Sequence, residues 1–309
     1  MSKKILIALQ SYGEYSDKPF QILRDAGVEL VVNDLKHRLV REDIVQLGKD
    51  CQGIVAGVEP YDKEVLDKLS KLECLSRCGV GTDNIDHQVA KERQIAILNT
   101  PNVVIQPVAE MAVAMAFDLL RLLTVNTINL RSGVWKKKAG RLLAACKVGI
   151  VGLGRIGKRT AELFRALGAE VYGFDLYPDQ AWAKKNSIKM LPLDKLLSSV
   201  DVLSLHVSVS KDNLFVLQKD ELSSMKKGAV LINTSRGQVI DEAALYDVLR
   251  SGHLSGAGLD VYPKEPYQGP LRELDNVIMT PHVSTLTRES RAQMETEAVE
   301  NILRHFNLL

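Results

Sequence analysis

A chain of 309 residues is about twice a typical single domain, so two domains are expected, each burying its own core. Its 46% hydrophobic and 25% charged residues are ordinary for a globular protein, and a net charge of +2 argues against nucleic acid or an anionic membrane surface as a partner. The one dense basic run, Lys136-Lys137-Lys138 after Trp135, reads as a solvated face. Cys51, Cys74, Cys78 and Cys146 form no disulfide framework and no C-x-x-C pair. The opening residues run straight into an apolar strand without a signal-peptide pattern. The most apolar stretch, 108–120, is broken by Glu110 and Asp118 and is too short to span a bilayer. A cytoplasmic protein with reduced thiols, no metal and no membrane contact is expected.

Short runs rich in Val and Ile alternate with segments of helical period, the pattern of a parallel sheet covered by helices. The first set of strands is expected at 5–9, 28–32, 53–56, 74–77 and 95–99. A helix over 104–123, apolar on most faces, follows. The second set is expected at 148–152, 170–175, 188–191, 201–206, 229–233, 256–261 and 277–280. The chain closes on a helical segment, 287–306, with Met294, Ala298, Val299, Ile302 and Phe306 in register and Thr287 as its N-cap. The fold class is therefore α/β, with two doubly wound parallel-sheet domains. The pattern leaves open which domain the last helix covers.

At 147–157 an apolar strand runs into Gly152-Leu153-Gly154-Arg155-Ile156-Gly157, and a helical pattern follows at once. Gly152 suits a tight turn, Gly154 lets backbone approach a pyrophosphate, and Gly157 lets the helix press on the strand. The helix start, at Arg155 and Ile156, offers N–H groups and partial positive charge to phosphates. The next strand ends on Asp175, 21 residues after Gly154, close to where a carboxylate meets the adenosine ribose. A carboxylate there repels a 2′-phosphate, and Leu176-Tyr177-Pro178 supplies no Arg to hold one, so NAD is favoured over NADP. Asp175 as an ordinary strand-end turn residue is the competing reading.

Ligands of open parallel sheets bind beyond the carboxyl ends of the strands. The residues expected at that edge are His206, Thr234, Arg236, Asp260, Glu265 and His282. Reduction of a 2-keto acid needs such a set. A group titrating near neutrality must protonate the carbonyl oxygen, and histidine suits that task. A carboxylate bonded to it favours the protonated ring and fixes its tautomer. An Arg fork matches the substrate carboxylate. His282 is the expected acid/base, Glu265 its partner and Arg236 the substrate clamp, while His206 and Thr234 are counted with the cofactor. Glu265 as a simple turn residue and His206 as a structural histidine remain open alternatives.

The chain resembles the D-isomer-specific 2-hydroxyacid dehydrogenases along nearly its whole length. The marks are Gly79-Val80-Gly81-Thr82-Asp83-Asn84-Ile85-Asp86, then Asn99-Thr100-Pro101 with Val108-Ala109-Glu110. After the glycine loop come Asn233-Thr234-Ser235-Arg236-Gly237, Gly258-Leu259-Asp260-Val261-Tyr262 with Glu265-Pro266, and Thr280-Pro281-His282. The resemblance implies that Arg236, Glu265 and His282 are catalytic. It also implies that the backbone of Val80 and Gly81 holds the substrate carboxylate and that Asp260 meets the nicotinamide carboxamide. It implies a Rossmann NAD-binding domain over 102–283, a discontinuous flavodoxin-like catalytic domain over 1–101 completed by 284–309, and a homodimer.

Within the family the chain is most similar to 3-phosphoglycerate dehydrogenases without a regulatory domain, with Arg77 matching a residue that meets a substrate phosphate. Three departures stand against the pattern: Ala56 where a second Arg is common, Val103-Val104-Ile105-Gln106-Pro107 in place of a small polar loop, and Ser208 where Pro is usual. A glyoxylate or hydroxypyruvate reductase is the alternative. An NAD-sensing corepressor of the same fold is the alternative from another class.

Overall fold

The computed structural model describes residues 2–35, 37–208 and 217–309, so residues 209 and 210 of the atypical stretch after His206 lie outside the described residues. The chain forms two compact units, Met1–Val104 with Leu286–Leu309, and Ile105–Thr285.

The first unit contains β1 (Lys4–Ile7), α1 (Lys18–Asp25), β2 (Glu29–Val32), α2 (Arg41–Gly48), β3 (Gly53–Ala56), α3 (Lys63–Lys68), β4 (Cys74–Arg77), α4 (His87–Glu92) and β5 (Ala96–Asn99). Its strands are all parallel in the order β2-β1-β3-β4-β5, a flavodoxin-like sheet. Ile5, Leu6, Ile7, Ile54 and Val55 are fully buried. Both faces of these strands are covered, so they read as continuous apolar runs rather than alternations.

The second unit opens with α5 (Ile105–Arg121) and α6 (Leu123–Arg131). The helix expected over 104–123 is α5, and α6 is a further helix that the pattern did not predict. Leu122 turns left-handed at φ 57°, and the Asp118 carboxylate accepts the Thr124 N–H and hydroxyl at 2.8 and 2.5 Å, which restarts the chain as α6. Then come β6 (Lys147–Val151), α7 (Arg155–Ala166), β7 (Glu170–Phe174), α8 (Gln180–Lys185), β8 (Lys189–Met190), α9 (Leu193–Ser199) and β9 (Val202–Leu205). The unit closes with α10 (Lys219–Ser224), β10 (Val230–Asn233), α11 (Glu242–Arg250), β11 (Gly256–Leu259) and β12 (Val277–Met279). The sheet order is β12-β11-β10-β9-β6-β7-β8, doubly wound, with its switch point between β6 and β9.

At the other end of this sheet, buried Asp201 accepts the Lys147 N–H at 2.8 Å and pairs with Lys226 at 2.7 Å and Arg141 at 2.8 Å. Burial alone raises a carboxyl, but here the Lys226, Lys147 and Arg141 donors outweigh it and hold Asp201 down to about 2.

The last helix, α12 (Arg288–His305), belongs to the first unit and packs on α1 and on β3 to β5. Thr287 Oγ1 caps it by accepting the Ser290 N–H at 3.1 Å, and Met294, Ala298, Val299, Ile302 and Leu303 are buried. Glu295, wholly buried, accepts the Gly13 N–H at 2.9 Å and pairs with Arg291 at 2.7 Å, tying the helix to the loop after β1. No helix among the described residues is long and apolar enough to cross a membrane.

Candidate active site

The switch point brings together the ends of β6 and β9. Gly152 is left-handed at φ 88°, and a Cβ on Gly157 would run into the Gly152 carbonyl oxygen. The start of α7 is therefore pressed against the strand, as the sequence spacing predicts. Gly154, the N-cap of α7, faces open space and supplies no side-chain cap. The N–H groups of Arg155 and Ile156 are consequently directed to solvent or to an anion. Asp175, just past β7, accepts the Leu153 N–H at 2.6 Å and the Tyr177 N–H at 2.8 Å. Its carboxylate is thereby held beside the glycine loop.

His206 follows β9, and its carbonyl blocks any Cβ at Gly152. Burial pushes its imidazole down to about 3, so the ring is neutral throughout the physiological range and is no acid/base. Ser204 Oγ lies 2.9 Å from its Nε2, while its Nδ1 and the buried Thr234 Oγ1 have no hydrogen-bond partner among the described residues. Two unpartnered polar atoms, an open glycine N-cap and a strand-end carboxylate are what a dinucleotide requires. The residues present fit NAD. Among the described residues, no group of three or more His, Cys, Asp or Glu side chains is placed to hold a metal ion.

The ends of β10, β11 and β12 carry the second cluster. His282 Nδ1 lies 2.9 Å from Glu265 Oε2, and Glu265 Oε1 accepts the Tyr262 N–H at 3.1 Å. Burial raises the Glu265 carboxyl, but the His282 hydrogen bond and charge, the Tyr262 N–H and the Arg236 charge together bring it below the usual range. His282 itself sits in the left-handed region at φ 55°, a conformation unusual for a side chain with a Cβ. Asp260 is what holds it there. Its fully buried carboxylate accepts Thr280 Oγ1 at 2.6 Å, the Val283 N–H at 2.8 Å, the Ser284 N–H at 2.9 Å and the Ser284 hydroxyl. These four donors flank His282 on both sides and occupy the four acceptor sites of a carboxylate. Arg236 follows β10. Asn233 Nδ2 donates to its carbonyl at 2.8 Å, and its own Nη1 donates to the Ser235 carbonyl at 2.8 Å.

In the first unit, the loop after β4 is braced by the Asn99–Thr100 pair. Thr100 Oγ1 accepts the Gly79 N–H at 2.8 Å, the Gly79 carbonyl accepts the Thr100 N–H at 3.0 Å, and Asn99 Nδ2 donates to the Val80 carbonyl at 2.9 Å. The N–H groups of Val80 and Gly81 donate to no protein group among the described residues. Arg77 bends back over this loop, donating to the Cys78 carbonyl and filling the space a Cβ on Gly79 would need.

Sequence reasoning missed Glu59. It is 3% exposed, accepts the Gly57 N–H at 2.7 Å, and burial raises its carboxyl against that N–H and the charges of Arg77 and Arg38. The signal available was a lone acid just past a wholly apolar strand. Thr280 and Ser284 were also missed, and no spacing rule links them to Asp260.

Residues 113–284 match the family described as "D-isomer specific 2-hydroxyacid dehydrogenase, NAD binding domain". The chain is 34% identical to a glyoxylate reductase of Korarchaeum cryptofilum, over 84% of this chain and 81% of that one. It is 32% identical to a D-3-phosphoglycerate dehydrogenase of Archaeoglobus fulgidus over 93% of this chain, and spans only 55% of that longer protein. Among solved structures it is similar to a D-lactate dehydrogenase from Aquifex aeolicus complexed with NAD and lactic acid, with a TM-score of 0.86, 28% identity and coverage of 99% and 96% of the two chains. Fold and site define an NAD-binding oxidoreductase of the doubly wound α/β class. The chain belongs to the D-isomer-specific 2-hydroxyacid dehydrogenase family and is an NAD-dependent enzyme of that family.

Proposed function

We propose that the protein reduces a small, unphosphorylated 2-keto acid, of the glyoxylate or hydroxypyruvate type, to its D-2-hydroxy acid. The observation that carries the reaction is the Glu265–His282 contact at 2.9 Å through Nδ1, which leaves Nε2 for substrate. When bound, NADH supplies the hydride for the substrate carbonyl carbon. His282 delivers a proton from Nε2 to the carbonyl oxygen, with Glu265 fixing the tautomer and steadying the charged ring. Arg236 meets the carboxylate and polarises the carbonyl. In the first unit, the Val80 and Gly81 N–H groups, which donate to no protein group among the described residues, are the proposed substrate-binding donors. Asp260 serves as the pin of the His282 turn, since its own chain fills its acceptor sites.

The expectation of a phosphorylated substrate rested on Arg77. Its guanidinium already serves the Cys78 carbonyl and lies within the electrostatic reach of the buried Glu59. A carboxylate at that position disfavours a second anionic group on the substrate. Ala56 supplies no compensating cation.

A homodimer is proposed through α6 and the segment after it. Every residue of α6 is at least partly exposed, Ile128 and Leu130 by nearly 60% and Trp135 by 80%. Apolar surface of that density marks an interface. The four free cysteines, all buried, support an enzyme of a reducing compartment such as the cytoplasm.

The test is NADH oxidation against glyoxylate, hydroxypyruvate and 3-phosphohydroxypyruvate, with His282→Gln alongside. Glyoxylate or hydroxypyruvate should show the higher kcat/KM, and His282→Gln should lower kcat about 10²- to 10⁴-fold. A preference for phosphohydroxypyruvate would return Arg77 to the role of phosphate ligand. Full turnover in His282→Gln with chemistry rate-limiting would remove His282 from proton transfer.

A further inference from the structure

The three catalytic candidates lie beyond the ends of three different strands, and one further residue, through its backbone and its hydroxyl together, meets Glu265 and the chain beside Arg236 and His282. Tyr262 is buried just past β11. Its hydroxyl lies 3.0 Å from the Leu259 carbonyl and 3.1 Å from the Thr280 carbonyl, so its one proton is shared between the ends of β11 and β12. Thr280 in turn accepts the His282 N–H at 3.0 Å through the same carbonyl. The Tyr262 N–H donates to Glu265 Oε1, on the carboxylate whose other oxygen holds His282. The Tyr262 carbonyl carbon and oxygen lie directly against the Cα of Gly237, the residue after Arg236, where any Cβ would collide with them. The ring stacks on Tyr267 at 4.4 Å between centroids, and the Tyr267 hydroxyl accepts the Leu271 N–H at 3.2 Å.

We infer that Tyr262 is a positioning residue of the active site, its hydroxyl clamping the β11 and β12 ends so that Glu265 and His282 keep their hydrogen bond. A ring alone could fill this space. The hydroxyl adds something that packing does not: beside the last sheet bond, from the Thr280 N–H to the Leu259 carbonyl at 3.0 Å, it makes a second tie between the two strand ends, just where the chain leaves them for Glu265 and His282. Burial and the nearby Asp260 charge push the phenol up to about 12, so it stays protonated and donating at any working pH. The bridge is therefore constant while His282 gains and loses its proton. This inference rests on the proposed roles of Glu265 and His282.

The test is a double-mutant cycle of Tyr262→Phe and Glu265→Gln, read as the single-turnover rate of NADH oxidation with the keto acid that the substrate panel ranks first. Tyr262→Phe removes the hydroxyl and keeps the ring stack. It should slow the chemical step about fivefold to thirtyfold, the effect of one buried hydrogen bond. The Kd for NADH, measured by fluorescence, should not change, because the glycine loop follows a different strand. In the Glu265→Gln background the same substitution should cost less than twofold, since the contact it protects is already altered. An unchanged rate in Tyr262→Phe overturns the inference. So does an equal loss in both backgrounds, and so does a loss matched by weaker NADH binding, which marks general loosening of the unit. Full rates in Glu265→Gln and His282→Gln would instead overturn the reading of the site itself.

Discussion

Replacing Asp201 by Asn tests the electrostatics of the NAD-binding unit at the sheet end away from the glycine loop. The carboxyl ionises at about 2 in the folded protein against a reference of 3.8. At about 1.36 kcal/mol for each pH unit, that drop makes the ion worth about 2.5 kcal/mol to folding at neutral pH. Asp201 is 3% exposed, so solvent screening takes little from this figure, although its partners Arg141 and Lys226 are nearly half exposed. Because the folded value lies below the unfolded one, the stabilisation is complete above about pH 4 and fades as the pH falls through about 2. The gap between wild type and Asp201→Asn should be about 2.5 kcal/mol at pH 7 and about 1.3 kcal/mol at pH 3. Urea unfolding at the two pH values reads both numbers, and Tm at pH 7 should fall by about 5–10 °C for a unit of this size. Equal stability of the two proteins at pH 7, or a gap that does not narrow at pH 3, would show that the cluster is not an ionic anchor.

Asp175→Ala should narrow the preference for NADH over NADPH about tenfold to thirtyfold in kcat/KM, the effect of removing one carboxylate from beside a 2′-phosphate; an unchanged ratio would take Asp175 away from the ribose. Leu130→Asp with Trp135→Asp should shift the sedimentation mass from dimer to monomer, and an unshifted dimer would move the interface elsewhere.

Much of the architecture was legible because each feature had a local cause. Every expected strand appears within two residues of its expected ends, since parallel strands buried on both faces leave continuous apolar runs. The glycine loop was legible for the same kind of reason: the left-handed turn at Gly152 and the close approach of Gly157 to the Gly152 carbonyl are demands within six residues of chain. Helix α6 was not, because no residue of it is buried to mark a helical face and only the Asp118–Thr124 contact reveals the restart after Leu122. The partners of Asp260 and the bridging hydroxyl of Tyr262 were hidden more deeply. They join residues some 20 positions apart whose approach depends on how β11 and β12 pair. Glu59 was hidden as well, because no periodicity marks an acid that folds into the core within electrostatic reach of Arg77.

The first unit has a sheet that is complete in sequence by Asn99 and a helix, α12, that begins only at Arg288. On the ribosome, the face made by Ile5 and Gly53, which Ile302 and Phe306 cover in the finished protein, waits for roughly 190 further residues. At about 5–20 residues per second that is roughly 10–40 s with an apolar face open to solvent. The middle of the chain meets no such delay, because every strand and helix of the second unit is contiguous. Synthesis therefore favours an order in which the cofactor-binding half settles first and the earlier-made half closes last, once the final helix arrives with Glu295 to secure the loop at Gly13.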